Sequence, residues 1–314
     1  TLYSHVRVED VEGDRVMLRS LDFDETAHMP VGQAIADADL TGPFGLVKAA
    51  LRRRPARSGV SILSRSEAPP GSGLGTSAAM GVALVGALGR ATGVPDDTKA
   101  TAETAVALET EELRILSGKQ DHYASTLGGA QFMTFDGPDV TTTRLPLSPE
   151  ATAELRRRVV LVYTGHSRLS SDLHEHVVGR FEARDAGLLA TLREIAAIAH
   201  DARDALVAGS AGELARCVAA NWECQKALYP GITTDEIETL AATGRRHGAL
   251  GMKACGAGGG GCLAFIAADG AEGPLADALQ AAGAQSLRYD VAESGLLTWT
   301  READGQSSSV SGMA

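Results

Sequence analysis

A cluster of glycines followed by two hydroxyl residues is the part of this sequence that points most directly to chemistry. Residues 67–81 read EAPPGSGLGTSAAMG, and the glycines lead straight into Thr76 and Ser77. Glycine lets the backbone turn sharply and approach a ligand closely. The apolar helix predicted next offers free N–H groups and a positive dipole end in its first turn. The stretch therefore predicts either a phosphate-binding loop or a glycine-rich turn with a hydroxyl residue as helix N-cap.

Neither of the two familiar phosphate-loop patterns describes this stretch. The P-loop pattern G-x-x-x-x-G-K-[ST] needs a lysine directly before the hydroxyl residue, and no lysine precedes Thr76 or Ser77. The dinucleotide pattern G-x-G-x-x-G fails because Gly71, Gly73 and Gly75 are spaced G-x-G-x-G. Phosphate binding here would need a different loop geometry.

A second glycine run, GAGGGG at residues 256–261, does match G-x-G-x-x-G as a string. Its context argues against a nicotinamide site, because the following CLAFIAA predicts a strand where the dinucleotide fold has a helix. Six small residues between two strands indicate close packing of backbone against another element or a ligand. An ordinary glycine-rich strand connection is the alternative.

Glu109 is a carboxylate on the apolar side of a helix predicted over residues 98–116. At about 100° per residue, the apolar residues at positions 102, 105, 106, 113 and 116 project within roughly 60° of it. A buried carboxylate is costly without a partner, and that partner is either an Arg or Lys or a metal ion. Magnesium commonly takes one or two protein oxygens plus substrate phosphates, which makes Ser77 and Glu109 candidate metal ligands.

Asp121, in the stretch GKQDHY, follows the same helix. One interpretation makes it the N-cap of a short helix over residues 122–126. The other makes it the group that accepts or orients the hydroxyl proton of a phosphoryl acceptor. By contrast, His174 and His176 stand two apart on a predicted helix, face different ways, and are interpreted as surface residues.

The elements that must position these residues mix helices and strands. YSHVRVEDVEGDRVMLRS predicts two strands paired as a hairpin, and GVSILSRS predicts a strand before the first glycine loop. Helices are predicted over residues 43–54, 76–90 and 98–116. The second half predicts a strand at RRVVLVYTG and three helical segments between about 170 and 247. Strands MKAC and CLAFIAA, a helix near 274–283 and a strand near 286–291 complete an α+β pattern.

A polar stretch around residues 148–156 predicts a boundary between an N-terminal domain, residues 1–150, and a C-terminal domain, residues 151–300. The remaining tail, residues 301–314, is rich in Ser and Gly and is predicted to be disordered. A chain of 314 residues is long enough for two such domains.

Composition narrows the class of protein. Hydrophobic residues make up 44% and charged residues 22%, as in soluble globular proteins, and the sequence predicts neither a membrane span nor a secretory signal. A net charge of −11 argues against nucleic acid as the main partner. The four cysteines lack C-x-x-C spacing, so we expect reduced, structural thiols and a cytoplasmic protein.

Taken together, these motifs resemble those of the GHMP kinases, the superfamily of galactokinase, homoserine kinase, mevalonate kinase and phosphomevalonate kinase. APPGSGLGTSAA is similar to their central phosphate-loop motif, with Thr76 where Ser is more usual, and KACGAGGGG to their C-terminal glycine motif. The segment from Glu109 to Asp121, ETEELRILSGKQD, is similar to their Glu-to-Asp segment. GKQD, YTGHSR at residues 163–168 and GAGGGG resemble the branch of D-glycero-D-manno-heptose 7-phosphate kinases and related sugar 1-kinases.

The resemblance implies a two-domain fold, with an N-terminal domain like ribosomal protein S5 and a ferredoxin-like C-terminal domain. It implies that Ser77 and Glu109 hold Mg²⁺ and that Asp121 is the catalytic base. The residues implied to wrap the ATP phosphates are Pro70, Gly71, Ser72, Gly73, Leu74, Gly75, Thr76 and Ser77. Those implied to shape the active-site cleft are Gly256, Ala257, Gly258 and Gly259. Candidate sugar contacts, chosen for charge and nearness to the motifs, are Lys119, Gln120 and Arg168.

The implied activity is transfer of the ATP γ-phosphoryl group to the anomeric hydroxyl of a sugar. The first candidate for that sugar is D-glycero-D-manno-heptose 7-phosphate. The alternatives are a kinase for a fucose- or galactose-like sugar, a non-catalytic sugar- or ATP-sensing protein of the same fold, and a nicotinamide-dependent oxidoreductase. The expected partner is a small sugar or sugar phosphate, and the expected state a monomer or homodimer. The family's opening motif, P-x-R-I-x-F-x-G-G-G-T-D, is absent, so a segment upstream of Thr1 is expected to be missing from the sequence.

Overall fold

The computed structural model describes residues 1–31, 39–94, 97–166, 171–301 and 307–312. Internal contacts divide the chain into two compact units. The N-terminal unit comprises Leu2–Pro70, Gly75–Gln131 and Ala292–Ala314. The C-terminal unit comprises Phe132–Val291, together with Thr1 and the short stretch Gly71–Leu74. The chain therefore passes from one unit to the other inside the first glycine loop.

The N-terminal unit is built on a four-stranded sheet in the order β1-β4-β2-β3. Its strands are β1 (Ser4–Asp10), β2 (Arg15–Ser20), β3 (Glu25–Pro30) and β4 (Val60–Ser66). β1 and β2 exist as predicted, but the predicted hairpin is wrong, because β4 lies between them. β4 pairs antiparallel with β1 and parallel with β2. Alternate residues of β4 are buried, so one face of this interior strand packs on the core.

The described residues of this unit form four α-helices, of which the first two follow the predicted ranges 43–54 and 76–90 closely. They are α1 (Gly45–Arg53), α2 (Thr76–Ala91), α3 (Thr98–Ala107) and α4 (Gln120–Leu127). α2 buries residues over most of its circumference, as its apolar composition predicts. α3 begins where the sequence indicates, since the Asp97 carboxylate accepts a hydrogen bond from the Ala100 amide at 2.7 Å.

The helix predicted over residues 98–116 ends earlier than its apolar stripe suggests. After α3 the chain forms one π-helical turn, Leu108–Glu112, in which the Leu113 amide donates to the Leu108 carbonyl oxygen at 3.1 Å. This wider turn interrupts the 3.6-residue period. Leu116, predicted on the buried stripe, is consequently exposed, whereas Glu109, inside the turn, is buried.

The C-terminal unit carries a second four-stranded sheet, in the order β10-β7-β9-β8. The two-stranded ribbon of β5 and β6 precedes it, and the described residues of this unit form six α-helices. The sequence predicts three helices between residues 170 and 247, whereas the described part of that range contains four. The elements are β5 (Gln131–Asp136), β6 (Asp139–Arg144), α5 (Pro149–Arg158), β7 (Val159–Tyr163), α6 (Ser171–Glu182), α7 (Ala186–Val207), α8 (Ala211–Leu228), α9 (Asp235–Arg246), β8 (Ala249–Ala254), β9 (Cys262–Ala267), α10 (Glu272–Ala281) and β10 (Gln285–Ser286).

The end of the chain returns to the N-terminal unit. The Leu296 amide donates to the Thr126 carbonyl oxygen at 3.1 Å, and β11 (Leu297–Arg301) pairs antiparallel with β12 (Ser307–Gly312). β12 lies in the tail for which the sequence predicts disorder, and its register with β11 runs from Leu297 opposite Gly312 to Arg301 opposite Ser307. No helix within the described ranges has both the length and the apolar character to cross a membrane.

Candidate functional site

The first glycine loop uses backbone conformations that only glycine adopts easily. Gly71, Gly73 and Gly75 all have positive φ, and Gly75, at +69°, is the N-cap of α2. No side chain caps this helix end, so the alternative in which Thr76 or Ser77 serves as N-cap is not what the structure shows. Ser77 is exposed in the first turn of α2, where the helix has free N–H groups.

Within the C-terminal unit, the two glycine runs pack backbone to backbone. A methyl group built on Gly73 would lie 2.6 Å from the Cys255 carbonyl oxygen, and one built on Gly261 would lie 2.6 Å from the Ser72 carbonyl oxygen. The same Ser72 oxygen accepts a hydrogen bond from the Cys262 amide at 2.7 Å. Side chains at these glycines would collide with main chain, which explains the small residues and agrees with the predicted close packing.

Glu109 is 5% exposed and sits in the π turn of the N-terminal unit. Burial by itself raises the pKa of this carboxyl group, but the neighbouring His122 ring and the hydroxyls of Ser117 and Ser77 outweigh burial and hold the pKa below its usual range. Glu109 is therefore ionised at neutral pH. Ser77, predicted to share a metal with Glu109, is thus one of the groups near it.

The ionisable side chain that faces Glu109 is a histidine, which the sequence did not single out. His122 is fully buried, and its Nε2 lies 3.4 Å from Oε2 of Glu109. The contact is within ion-pair range but poorly aligned for a hydrogen bond, and neither ring nitrogen makes a well-formed one with the described residues. An eight-residue helix has too few turns for periodicity to have marked His122 as inward-facing.

The arginines of α1 bind the neighbouring acids of the π turn. Arg53 Nε donates to Glu112 at 3.0 Å, and Arg53 also pairs with Glu111. Arg52 lies 3.6 Å from Glu112. Among the described residues, no Arg or Lys pairs with Glu109, so the salt-bridge alternative from the sequence is not realised.

Asp121 lies against the residue that opens α2. A methyl group built on Gly75 would be 2.9 Å from both Cβ and Cγ of Asp121 and 3.1 Å from its Oδ2. The N-cap of α4 is Lys119, so Asp121 is in the first turn and does not have the capping role that the sequence left open. Burial raises the pKa of Asp121, and the negative charge of Glu109 adds to this, while Gln120 and His122 oppose it.

Of the three candidate sugar contacts, the structure describes Gln120 and Lys119. Gln120 is exposed, and its Nε2 lies 3.4 Å from Oδ1 of Asp121. Lys119 is half-buried directly before α4. Arg168 lies outside the described residues.

The metal-ligating side chains of the described residues form no group of three or more His, Cys, Asp or Glu suited to a metal ion. The donors near Glu109 are instead the hydroxyls of Ser77 and Ser117 and the His122 ring. A carboxylate with a neighbouring serine hydroxyl is an oxygen donor pair of the kind magnesium accepts when phosphates complete its shell.

The sequence matches two family descriptions. Residues 44–129 match the GHMP kinases N terminal domain, and residues 202–285 match the GHMP kinases C terminal domain. The first match includes the first glycine loop, Glu109 and Asp121, and the second includes the second glycine run.

The chain is also similar in sequence to individual kinases. D-glycero-alpha-D-manno-heptose 7-phosphate kinase from Campylobacter jejuni is 32% identical over 210 residues, which is 66% of this chain and 60% of that protein. The chain thus spans less than two thirds of this relative. An L-fucokinase/L-fucose-1-P guanylyltransferase from Bacteroides fragilis is 28% identical over 287 residues, 84% of this chain and 30% of that protein.

The fold agrees as well. The crystal structure of a D-glycero-D-manno-heptose 1-phosphate kinase from Bacteroides thetaiotaomicron superposes with a TM-score of 0.75 at 22% identity. The superposition covers 94% of this chain and 86% of that one. With both family domains matched in order, and with the two-domain α+β fold in common, the chain belongs to the GHMP kinase family.

Proposed function

We propose that this protein is an ATP-dependent sugar kinase that transfers the γ-phosphoryl group to the anomeric hydroxyl of its acceptor. The observation that carries the proposal is the position of Asp121, whose carboxyl group packs against Gly75 at the start of α2. A carboxylate that can accept a proton is thereby placed beside a loop whose amides suit phosphates.

The glycine loop supplies binding of the ATP phosphates in this proposal. Positive φ at Gly71, Gly73 and Gly75 turns the backbone so that successive N–H groups can point to one side. The uncapped first turn of α2 adds free amides and its dipole. Thr76 and Ser77 stand in that turn, and the remaining members of the proposed cradle are Pro70, Ser72 and Leu74.

Magnesium fits the donors of this site. Glu109 is buried and ionised, and the Ser77 hydroxyl lies near enough to lower its pKa. We assign these two side chains as the protein ligands of Mg²⁺, which when bound neutralises phosphate charge and lowers the barrier to transfer. Both donors are hard oxygens, as the ion prefers.

Asp121 is assigned as the base that takes the proton of the acceptor hydroxyl. Its pKa is raised by burial and by the charge of Glu109, which makes it a stronger proton acceptor than an exposed aspartate. Gln120 and Lys119, on either side of the α4 N-terminus, are the proposed contacts to the acceptor.

The acceptor is proposed to be D-glycero-D-manno-heptose 7-phosphate. The support is the 32% identity to the Campylobacter jejuni heptose 7-phosphate kinase. Fucose is the second candidate, because the Bacteroides fragilis fucokinase matches over 84% of this chain. A non-catalytic ATP or sugar sensor is disfavoured by the presence of Ser77, Glu109 and Asp121 together.

The test is a screen of MgATP consumption with heptose 7-phosphate, fucose, mannose and galactose as acceptors. We expect turnover with the heptose phosphate, and Asp121→Asn should abolish it while ADP binding is retained, because the amide cannot accept the proton but leaves the loop unchanged. Asp139→Asn, at an exposed residue of β6, is the matched control. Wild-type kcat in Asp121→Asn would remove Asp121 as the base, and no turnover with any acceptor would overturn the proposed activity.

A further inference from the structure

His122 is a buried polar residue without a role in the mechanism above. Its side chain is fully buried, and its Nε2 faces Glu109 at 3.4 Å. Burying an imidazole without well-formed hydrogen bonds costs free energy. A leucine of similar volume would pack in this position without that cost. Packing alone therefore does not explain why position 122 is a histidine.

The environment of Glu109 shows what the ring can contribute. A glutamate side chain has three rotatable bonds, and the π turn that carries Glu109 fixes only its backbone. Neighbouring acids of the same turn are held from the α1 side by arginine, whereas Glu109 has no arginine or lysine partner among the described residues. The hydroxyls of Ser117 and Ser77 and the ring of His122 are the groups that oppose rotation of its carboxylate.

His122 is also anchored firmly enough to act as a support. It lies in the first half of α4, where its own carbonyl oxygen accepts a hydrogen bond from the Thr126 hydroxyl at 2.8 Å. α4 packs against α2 and α3, the helices that carry Ser77 and lead to Glu109. The ring is therefore fixed relative to both proposed metal ligands, and the next residue towards the N-terminus is Asp121.

We propose that His122 is a positioning residue, which holds the Glu109 carboxylate in the orientation that lets it share Mg²⁺ with Ser77. The inference rests on the proposed function for the metal roles of Glu109 and Ser77. Groups that orient a metal ligand typically change metal affinity or activity by about 10- to 100-fold when removed.

The experiment measures ADP binding by calorimetry with and without Mg²⁺, in the full chain and with no sugar present. In the wild-type protein, Mg²⁺ should tighten ADP binding. In His122→Leu the tightening should fall by about tenfold or more, because Glu109 is free to rotate. His122→Gln, whose amide nitrogen can approach the position of Nε2, should restore most of it. His28→Leu, at an exposed histidine of β3, is the matched control and should behave as wild type.

Steady-state kinetics separate positioning from a purely structural effect. His122→Leu should raise KM for MgATP and lower kcat, with KM for the sugar unchanged. A His122→Leu protein that folds and keeps the wild-type Mg²⁺ effect would overturn the inference. If the leucine variant does not fold, His122→Ala is judged by the same criterion. If Mg²⁺ does not change the affinity of the wild-type protein for ADP, the proposed metal roles of Glu109 and Ser77 and the proposed role of His122 are all wrong. If the Mg²⁺ effect is lost in His122→Leu but the wild-type protein turns over no sugar, the proposed sugar-kinase activity fails while the positioning role of His122 stands.

Discussion

The contact between Gly75 and Asp121 offers a test of how the glycine loop and the proposed base depend on each other. In Gly75→Ala the new methyl carbon would lie 2.9 Å from Cβ and Cγ of Asp121. Non-bonded carbons are normally about 3.5–4.0 Å apart. Asp121 would therefore have to retreat by roughly 0.6–1.1 Å, since the other side of the contact is the backbone of the helix N-cap.

A displacement of this size should be visible in catalysis. Misplacing a reacting group by about 1 Å can cost on the order of 100-fold in rate, so we expect kcat of Gly75→Ala to fall about 30- to 100-fold. Alanine at a φ of +69° also strains the backbone by about 1–2 kcal/mol, and the melting temperature should fall accordingly.

Gly93 provides the matched control at the other end of α2. Its φ is +71°, and a methyl group there would meet no atom within 4 Å. Gly93→Ala should therefore lower the melting temperature by a similar amount through the same backbone strain, and kcat should stay at the wild-type value. The assay is initial-rate phosphoryl transfer together with thermal unfolding of each variant. If Gly75→Ala and Gly93→Ala have kcat values within a factor of two of each other, the reasoning about Asp121 is wrong.

Three further predictions concern ionisable groups. Because burial raises the pKa of Asp121, its charged form destabilises the folded state at pH 7. The Asp121→Asn variant should therefore unfold at a higher temperature than the wild-type protein. An unchanged or lower melting temperature would contradict this cost of burying the charge. The pKa of Glu109 is held below its usual 4.5, so its ionised form stabilises the folded state above that pH, and this stabilisation is lost as the pH falls. The difference in the free energy of unfolding between the wild-type protein and Glu109→Gln, measured by denaturant titration, should therefore shrink from pH 6 to pH 3. A constant difference would contradict the lowered pKa of Glu109. Burial raises the pKa of the Cys262 thiol to about 12; peptide mapping after iodoacetamide treatment of the folded protein at pH 8 should find it unmodified, with the half-buried Cys255 reacting first.

Several features of the candidate site followed from residue types and local periodicity. The glycine loop before an apolar run predicts a sharp turn and a helix start, and α2 begins at Thr76 directly after Gly75. The helix predicted to start at residue 98 does start there, with Asp97 as its N-cap. The apolar residues on the same predicted helix face predict that Glu109 is buried, and the residue is only 5% exposed. These are consequences of a few residues along the chain, so a sequence can carry them without reference to the rest of the fold.

Only the tertiary structure decided which groups meet. Helical periodicity placed Glu109 on a buried face, but the packing of α4 made His122 its partner and brought Asp121 against Gly75. The insertion of β4 between β1 and β2 likewise could not follow from the two alternating strand patterns, which suit a hairpin equally well. The physical reason is that periodicity fixes the direction of a side chain relative to its own element, whereas its neighbours depend on how distant elements share a core.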